Sequence, residues 1–287
     1  MVFSSRRGTF VLLSCIVLGL KFGDGLQVVD LTHKQGPSTI YWPGNPEFNF
    51  TILSRQQYAN YWYESNYFGT AEHGGTHLDS PAHFYKDKSR TDELSMDKLY
   101  GPGVIISVVA KARENPDYQV MINDIRNWEE EHGRIPNGAA IIMNSGWHKK
   151  YPNKEEVFNS TTPNDPSTFH FPGWHENTTQ WLVTNRNPNL IGVDTPSTDY
   201  GQSKTFPTHV ILGGNNIPGL ENVANLDAIP ASGTVIFAAV VKLEDGSGGP
   251  ARIFAVSGDM FPTSSSYQNA PPPIFIILIS VFLLFLL

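Results

Sequence analysis

Glu72-His73-Gly74-Gly75-Thr76-His77-Leu78-Asp79-Ser80-Pro81-Ala82-His83-Phe84 gathers three histidines and an aspartate into one short stretch. Imidazole and carboxylate are ordinary ligands of zinc and manganese. Fully extended, His73 and His77 would stand roughly 13 Å apart at about 3.3 Å per residue. Two ligands of one ion, each about 2 Å from it, cannot be so far apart. The chain must fold back between them. Gly74 and Gly75 permit this, because glycine reaches backbone angles that other residues avoid. A helix would also bring the two together, but Gly-Gly-Thr is a poor helix interior. The spacing therefore predicts a tight glycine turn followed by a short extended piece. His77 and Asp79 then point to one side of that piece, and Pro81 ends it and redirects His83. A lone histidine is most often a hydrogen-bonded core or surface residue. His-x3-His-x-Asp-x3-His around a Gly-Gly turn is a candidate metal site.

The 287 residues carry a formal net charge of -7 and one cysteine, Cys15. Residues 1–25 read as a secretory signal: Arg6 and Arg7, an apolar run from Phe10 to Leu20, then small or polar residues to Gly25. A buried first strand or an uncleaved anchor are the alternatives. Cleavage there lowers Lys plus Arg from 20 to 17 and Asp plus Glu from 27 to 26, so the mature charge becomes -9. No basic cluster survives, which argues against a nucleic-acid partner. Sequons at Asn49, Asn159 and Asn177 fit a secreted glycoprotein. Residues 264–287 run from Ser264-Ser265-Ser266 through a Pro-containing spacer to the uncharged tail Ile274 to Leu287. This is the pattern of a GPI-anchor signal, with a single-pass helix as the rival. Either places residues 26–263, a single domain, on the extracellular face of the plasma membrane.

Along that domain, Leu26 to Leu31, Phe48 to Leu53, Val104 to Ala110, Ala139 to Met143, Leu190 to Val193, Thr234 to Leu243 and Arg252 to Val256 read as strands. Asn123 to Glu131 reads as a helix with Ile125 and Trp128 on one face. Glu176 to Thr184 reads as a short helix. Tyr151 to Trp174 is polar and Pro-rich and reads as a surface loop. A glycine hairpin at Asp245 to Gly249 joins the last two strands. The fold class is α/β with a mixed sheet. The aromatics from Tyr58 to Phe68 are either core or the wall of a pocket before the metal motif. The polar run from Asp194 to Asp199 ends a strand where ligand crevices form in α/β proteins. By spacing alone His209 is a packed histidine and Glu221 a helix-start residue.

His73-Gly74-Gly75-Thr76-His77-Leu78-Asp79-Ser80-Pro81-Ala82-His83-Phe84 resembles the signature of the metal-dependent cyclase family, which includes bacterial kynurenine formamidase and isatin hydrolase. Asp30-Leu31-Thr32-His33 resembles the family opening. Trp42-Pro43-Gly44 resembles its substrate-side turn, and Gly192-Val193-Asp194-Thr195-Pro196-Ser197 its central motif. The resemblance runs from Val29 to Ala255. It implies a swivelling β/β/α fold, often a homodimer, that holds one or two divalent ions, zinc or manganese. By position it implies that His73, His77 and Asp79 bind metal, and that His209 and Glu221 complete a second metal position or line the site. It makes His83 the catalytic acid/base and puts Trp42 on the substrate. The expected substrate is an aromatic amide: an aryl formamide, which would place the chain in tryptophan catabolism, or an isatin-like cyclic amide. A cyclase or lactonase acting on a non-aromatic substrate, and a non-catalytic surface binding protein, are the other readings.

Overall fold

Among the described residues the strands fall into three groups, a main sheet closed on itself and two separate two-stranded pairs. The computed structural model describes residues 25–258. The expected signal segment and C-terminal tail lie outside these residues. In chain order the elements are β1 (Gln27–Asp30), β2 (Asn49–Gln57), β3 (Trp62–Gly69), β4 (His77–Asp79), β5 (Tyr100–Ser107), α1 (Val109–Glu114), β6 (Gln119–Val120), α2 (Ile122–His132), β7 (Ala140–Asn144), α3 (Lys154–Phe158), β8 (Gly173–Trp174), α4 (Glu176–Arg186), β9 (Leu190–Val193), α5 (Pro207–Gly214), β10 (Gly219–Glu221), β11 (Thr234–Val240) and β12 (Gly248–Ser257).

The main sheet runs β1-β12-β11-β5-β7-β9-β10-β4, and β4 pairs back onto β12. Seven strands therefore close into a barrel-like ring, with β1 attached to the far half of β12. Closure leaves no bare edge along the ring. β5, β7, β9 and β10 are mutually parallel, while β4, β12 and β11 join them antiparallel. The sheet is mixed, as expected.

β5 and β7 read as unbroken apolar runs because both of their faces are covered. Ile105, Ile142, Leu220, Ile236 and Ile253, with Leu78 of β4, fill one cluster to which strands all round the ring contribute. Their neighbours Val104, Ile106, Ile141 and Met143 point the other way and pack against Ile125 and Trp128 of α2 and Leu182 of α4. Two helices thus cover the outer face of a filled ring.

The segment expected to be a surface loop, Tyr151 to Trp174, is not one. It contains α3 and β8, and Phe158, Phe169, Phe171 and Trp174 are buried. Its Pro and Asn content dominates the sequence, yet Phe158, Phe169 and Phe171 supply a third apolar cluster with Ile40, Trp147 and Val157, and Trp174 joins the cluster under α2 and α4. Among the described residues no helix is long and apolar enough to cross a membrane.

Candidate metal centre

β4 is only three residues long, yet it lies between β10 and β12 and carries two of the candidate ligands. The turn before it forms as predicted. Gly75 sits at φ 59°, in the left-handed region. Gly74 forms a bridge with Tyr41, and a Cβ there would lie 2.0 Å from the Tyr41 ring. The chain doubles back, and the His73 and His77 rings come within 5.4 Å. β10 is antiparallel to β4 with Glu221 opposite His77. α5 brings His209 from the other side. A one-turn helix at Pro81–His83 lays the His83 ring on that of His73, at 3.8 Å and nearly parallel.

Asp79 is the centre of this arrangement. Its Oδ1 is 2.6 Å from His73 Nδ1 and 3.2 Å from His77 Nε2, while its Oδ2 is 3.4 Å from His209 Nε2. Glu221 spans the same gap, with Oε1 at 3.1 Å from His209 Nε2 and Oε2 at 3.4 Å from His77 Nε2. The two faces of one carboxylate thus meet two sets of donors. Ligand atoms of His77, Asp79 and Glu221 lie within 4.8 Å of one another, as do those of His73, Asp79 and His83.

Each of the three candidate imidazole ligands has its other nitrogen committed. His77 Nδ1 donates to the Gly75 carbonyl at 2.9 Å, His209 Nδ1 to Asp199 Oδ2 at 2.6 Å, and His73 Nε2 meets Ser247 Oγ at 2.9 Å. Ser247 Oγ in turn donates to Glu72 Oε2 at 2.5 Å. Such partners fix the tautomer and turn the free lone pair towards an ion. Ser247 was not singled out in the sequence, Glu72 stood there only as the first residue of the motif, and Asp199 only as the end of the polar run from Asp194. Ser247 is 174 positions from His73, and no short-range pattern links them.

His77 Nε2 and Asp79 Oδ2 are buried without any hydrogen-bond partner. Buried polar atoms left unpaired are costly, and these two face the shared gap. The donor set fits a divalent cation: imidazole nitrogens and carboxylate oxygens around a small buried space.

The titration behaviour agrees. Burial pushes His77 down, but Asp79, Glu221 and the Gly75 carbonyl outweigh it and lift the imidazole to about 9. Burial opposes the charge on Asp79 too, yet His83, His73 and His209 hold it well below the usual carboxylate range. Burial beside Asp79 raises Glu221. His83 is exposed towards the cavity and shielded by His73 and Phe84 on its other sides. That loss of water lowers it to about 4 against the pull of Asp79, and the neighbouring imidazoles lower it further. His83 is therefore neutral at pH 7.

A cavity of about 230 Å³ opens onto His73, His77, His83, His209 and Glu221. Trp42 lines it, packed edge-on to Phe158, Phe169 and Phe206. Phe84 tilts against His209 at 4.3 Å. The aromatics from Tyr58 to Phe68 are not in it. They stand on β3 and the preceding turn, exposed to solvent, and the wall is built from Trp42, Phe84, Phe158 and Phe206 instead. Pro196 and Ser197 border the cavity, as the strand-end position suggested. Asp194 does not; it accepts the backbone N–H groups of Ser145 and Trp147 and organises that turn.

The Cyclase family model ("Putative cyclase") matches residues 29–200. The chain belongs to this family. It is 30% identical to the isatin hydrolase of Roseibium aggregatum over 83% of this chain and 95% of that one. It is 23% identical to the kynurenine formamidase of Salinibacter ruber over 86% of this chain and all of that one. An isatin hydrolase bound to the product analogue thioisatinate superposes with a TM-score of 0.74 at 30% identity, covering 80% of this chain and 92% of that one. The isatin hydrolase A of Ralstonia solanacearum gives 0.74 at 32%, covering 81% and 92%. The cyclase-family relatives are hydrolases, and this chain carries a hydrolase fold with a candidate His/Asp/Glu metal site.

Proposed function

We propose that the chain is a metal-dependent amidohydrolase that cleaves an aryl formamide or opens an isatin-like cyclic amide. The observation that carries this reading is Asp79, whose two oxygens face separate donors, His73 and His77 on one side and His209 on the other, all three of which line an aromatic-walled cavity. His73, His77 and Asp79 would hold one ion, and Asp79, His209 and Glu221 a second. A divalent ion bound there, zinc or manganese, acidifies water and polarises a carbonyl.

The chain's own groups do the rest. Trp42, Phe84 and Phe206 hold the aryl ring and exclude water from it. His83, neutral and at the cavity mouth, accepts a proton from the attacking water. The C–O bond forms in that attack, and His83 then returns the proton to the amide nitrogen as the C–N bond breaks. An aryl formamide such as N-formylkynurenine would give an arylamine and formate, and a cyclic amide would give its ring-opened carboxylate. Kinship with both an isatin hydrolase and a kynurenine formamidase supports the aryl-amide class. So do the aromatic walls, which a lactonase for non-aromatic substrates would not need.

Turnover of isatin, N-formylkynurenine and an aliphatic lactone, followed by absorbance in wild type and Trp42→Ala, tests the reading. The proposal expects activity on one aryl amide that collapses in Trp42→Ala. Activity on the lactone alone, unchanged in Trp42→Ala, contradicts it. Secretion and attachment to the outer face of the plasma membrane through residues 264–287 remain part of the proposal, supported by the two terminal apolar segments.

A further inference from the structure

Eight non-glycine residues among those described have left-handed backbone, and Asn222 alone of the eight is buried, at φ 50°. A side chain makes that conformation costly, and asparagine is among the few residues that tolerate it. Strain held at a buried position points to a task for the residue that bears it. Asn222 follows Glu221 at the end of β10 and borders the cavity. The pairing of β10 with β4 stops just before it, with Glu221 opposite His77.

The contacts of Asn222 converge on the glycine turn. Its carboxamide Nδ2 donates to the Gly75 carbonyl at 3.1 Å, and its own carbonyl accepts from Thr76 Oγ1 at 2.6 Å. Its backbone N–H donates to the Thr195 carbonyl at 2.9 Å. The Gly75 carbonyl is also the acceptor of His77 Nδ1, at 2.9 Å. A carbonyl oxygen has two lone pairs, and this one meets both His77 and Asn222. Two consecutive glycines give the turn little stiffness of its own. With the bond to His77 alone, imidazole and carbonyl would swing together. Asn222 comes from a different element and is tied at both of its backbone polar groups, so it anchors the carbonyl independently of His77.

We propose that Asn222 is a positioning residue for His77, acting through the Gly75 carbonyl. The carboxamide holds the carbonyl, the carbonyl holds Nδ1, and Nε2 is thereby kept beside Asp79 and Glu221, at 3.2 and 3.4 Å. The left-handed turn is the means: an extended residue 222 would continue the ladder of β10 instead. The consequence for a bound cation rests on the metal-centre reading; the anchoring of the carbonyl does not.

Asn222→Gly separates side chain from backbone, because glycine keeps the left-handed turn without strain and loses only the carboxamide. Asn225→Gly is the matched control. Asn225 is also left-handed, at φ 53°, and its Nδ2 donates to the Asp30 carbonyl at 2.9 Å, but it is exposed and does not line the cavity. Each full chain, in detergent and stripped of metal, is titrated with zinc by calorimetry and with cobalt(II) by visible absorption, beside circular dichroism melts. In Asn222→Gly one zinc affinity should fall about 10-fold, the low end for loss of a supporting partner. Its cobalt bands should shift while the melt stays cooperative. Asn225→Gly should match wild type in both titrations. Wild-type zinc affinities and cobalt bands in a folded Asn222→Gly overturn the proposal, whatever the melting temperature. A raised KM beside intact affinities would put Asn222 on the substrate and overturns it too. If Asn222→Gly does not fold, Asn222→Asp decides: it keeps the size but sets a carboxylate against the carbonyl, and unchanged affinities there overturn the proposal. Proton exchange in metal-free wild type, read by NMR, needs no cation and no variant. The Asn222 carboxamide and His77 Nδ1–H should both be protected, and free exchange of the carboxamide overturns the anchor. A wild type that binds no zinc yet protects both would refute the metal centre and still support the anchor.

Discussion

Replacing Asp199 by asparagine separates the orientation of His209 from everything else in the site. The Asp199 carboxylate is buried and accepts three hydrogen bonds: from His209 Nδ1 at 2.6 Å, from the His209 backbone N–H at 3.2 Å and from the Thr208 N–H at 3.0 Å. Asparagine has the same size and keeps one acceptor oxygen, so the start of α5 stays capped. It loses the charge-assisted bond to the imidazole, worth about 1.5–3 kcal/mol. The imidazole is then free to rotate or switch tautomer, and Nε2 no longer points reliably at Asp79 and Glu221. Loss of such a supporting partner typically costs about 10–100-fold in metal affinity, or about 1.4–2.7 kcal/mol at about 1.4 kcal/mol per decade. Calorimetric titration of metal-stripped protein should show one of two binding events weakened by that factor and the other unchanged. A lower melting temperature with both affinities intact would reduce Asp199 to a helix cap and refute the reasoning.

Other consequences follow from the same geometry. His83→Gln should retain metal stoichiometry while kcat falls about 10²–10⁴-fold; loss of an ion with it, seen by elemental analysis, would make His83 a ligand instead. In metal-stripped protein the raised His77 pKa contributes stability that is full below about 6.5 and lost as pH rises through about 9. The same proton competes with the cation, so metal affinity should climb about tenfold per pH unit across that window; a flat pH profile of affinity would contradict the site. Gly74→Ala should destabilise by about 1–3 kcal/mol, read as a lower urea midpoint, because its Cβ would meet a Tyr41 ring held by the Thr70 hydroxyl at 2.6 Å. An unchanged midpoint would mean that the ring can move aside.

The turn in the candidate metal stretch was legible because its constraint is local. Two ligands four residues apart cannot share an ion without a turn, and Gly74-Gly75 was the only means at hand. The strands were legible where both faces are buried, as in β5, β7 and β9, since continuous apolar runs need no tertiary information. Closure of the ring was not, because it depends on one register, β4 against Gly248–Pro250 of β12, from the far end of the chain. The Tyr58 to Phe68 aromatics misled for a related reason. Their composition suits a pocket wall, but adjacency in sequence to His73 put them on a projecting ribbon, while Phe84, Phe158 and Phe206 reached the cavity from three separate elements. The loop-like stretch before Trp174 was misjudged because its polar majority hid four buried aromatics. His209 and Glu221 were ambiguous alone; only the pairing of β10 with β4 and the seating of α5 bring them to Asp79.

The central claim is that Asp79 serves two ions. Elemental analysis of the purified full chain, with isatin and N-formylkynurenine turnover measured on the same sample before and after chelation and metal return, addresses it directly. The account predicts about two divalent ions per chain, activity lost with chelator and restored by zinc or manganese, and both ions lost in Asp79→Ala. An active chain without metal, or an Asp79→Ala variant that keeps its ions, would contradict it.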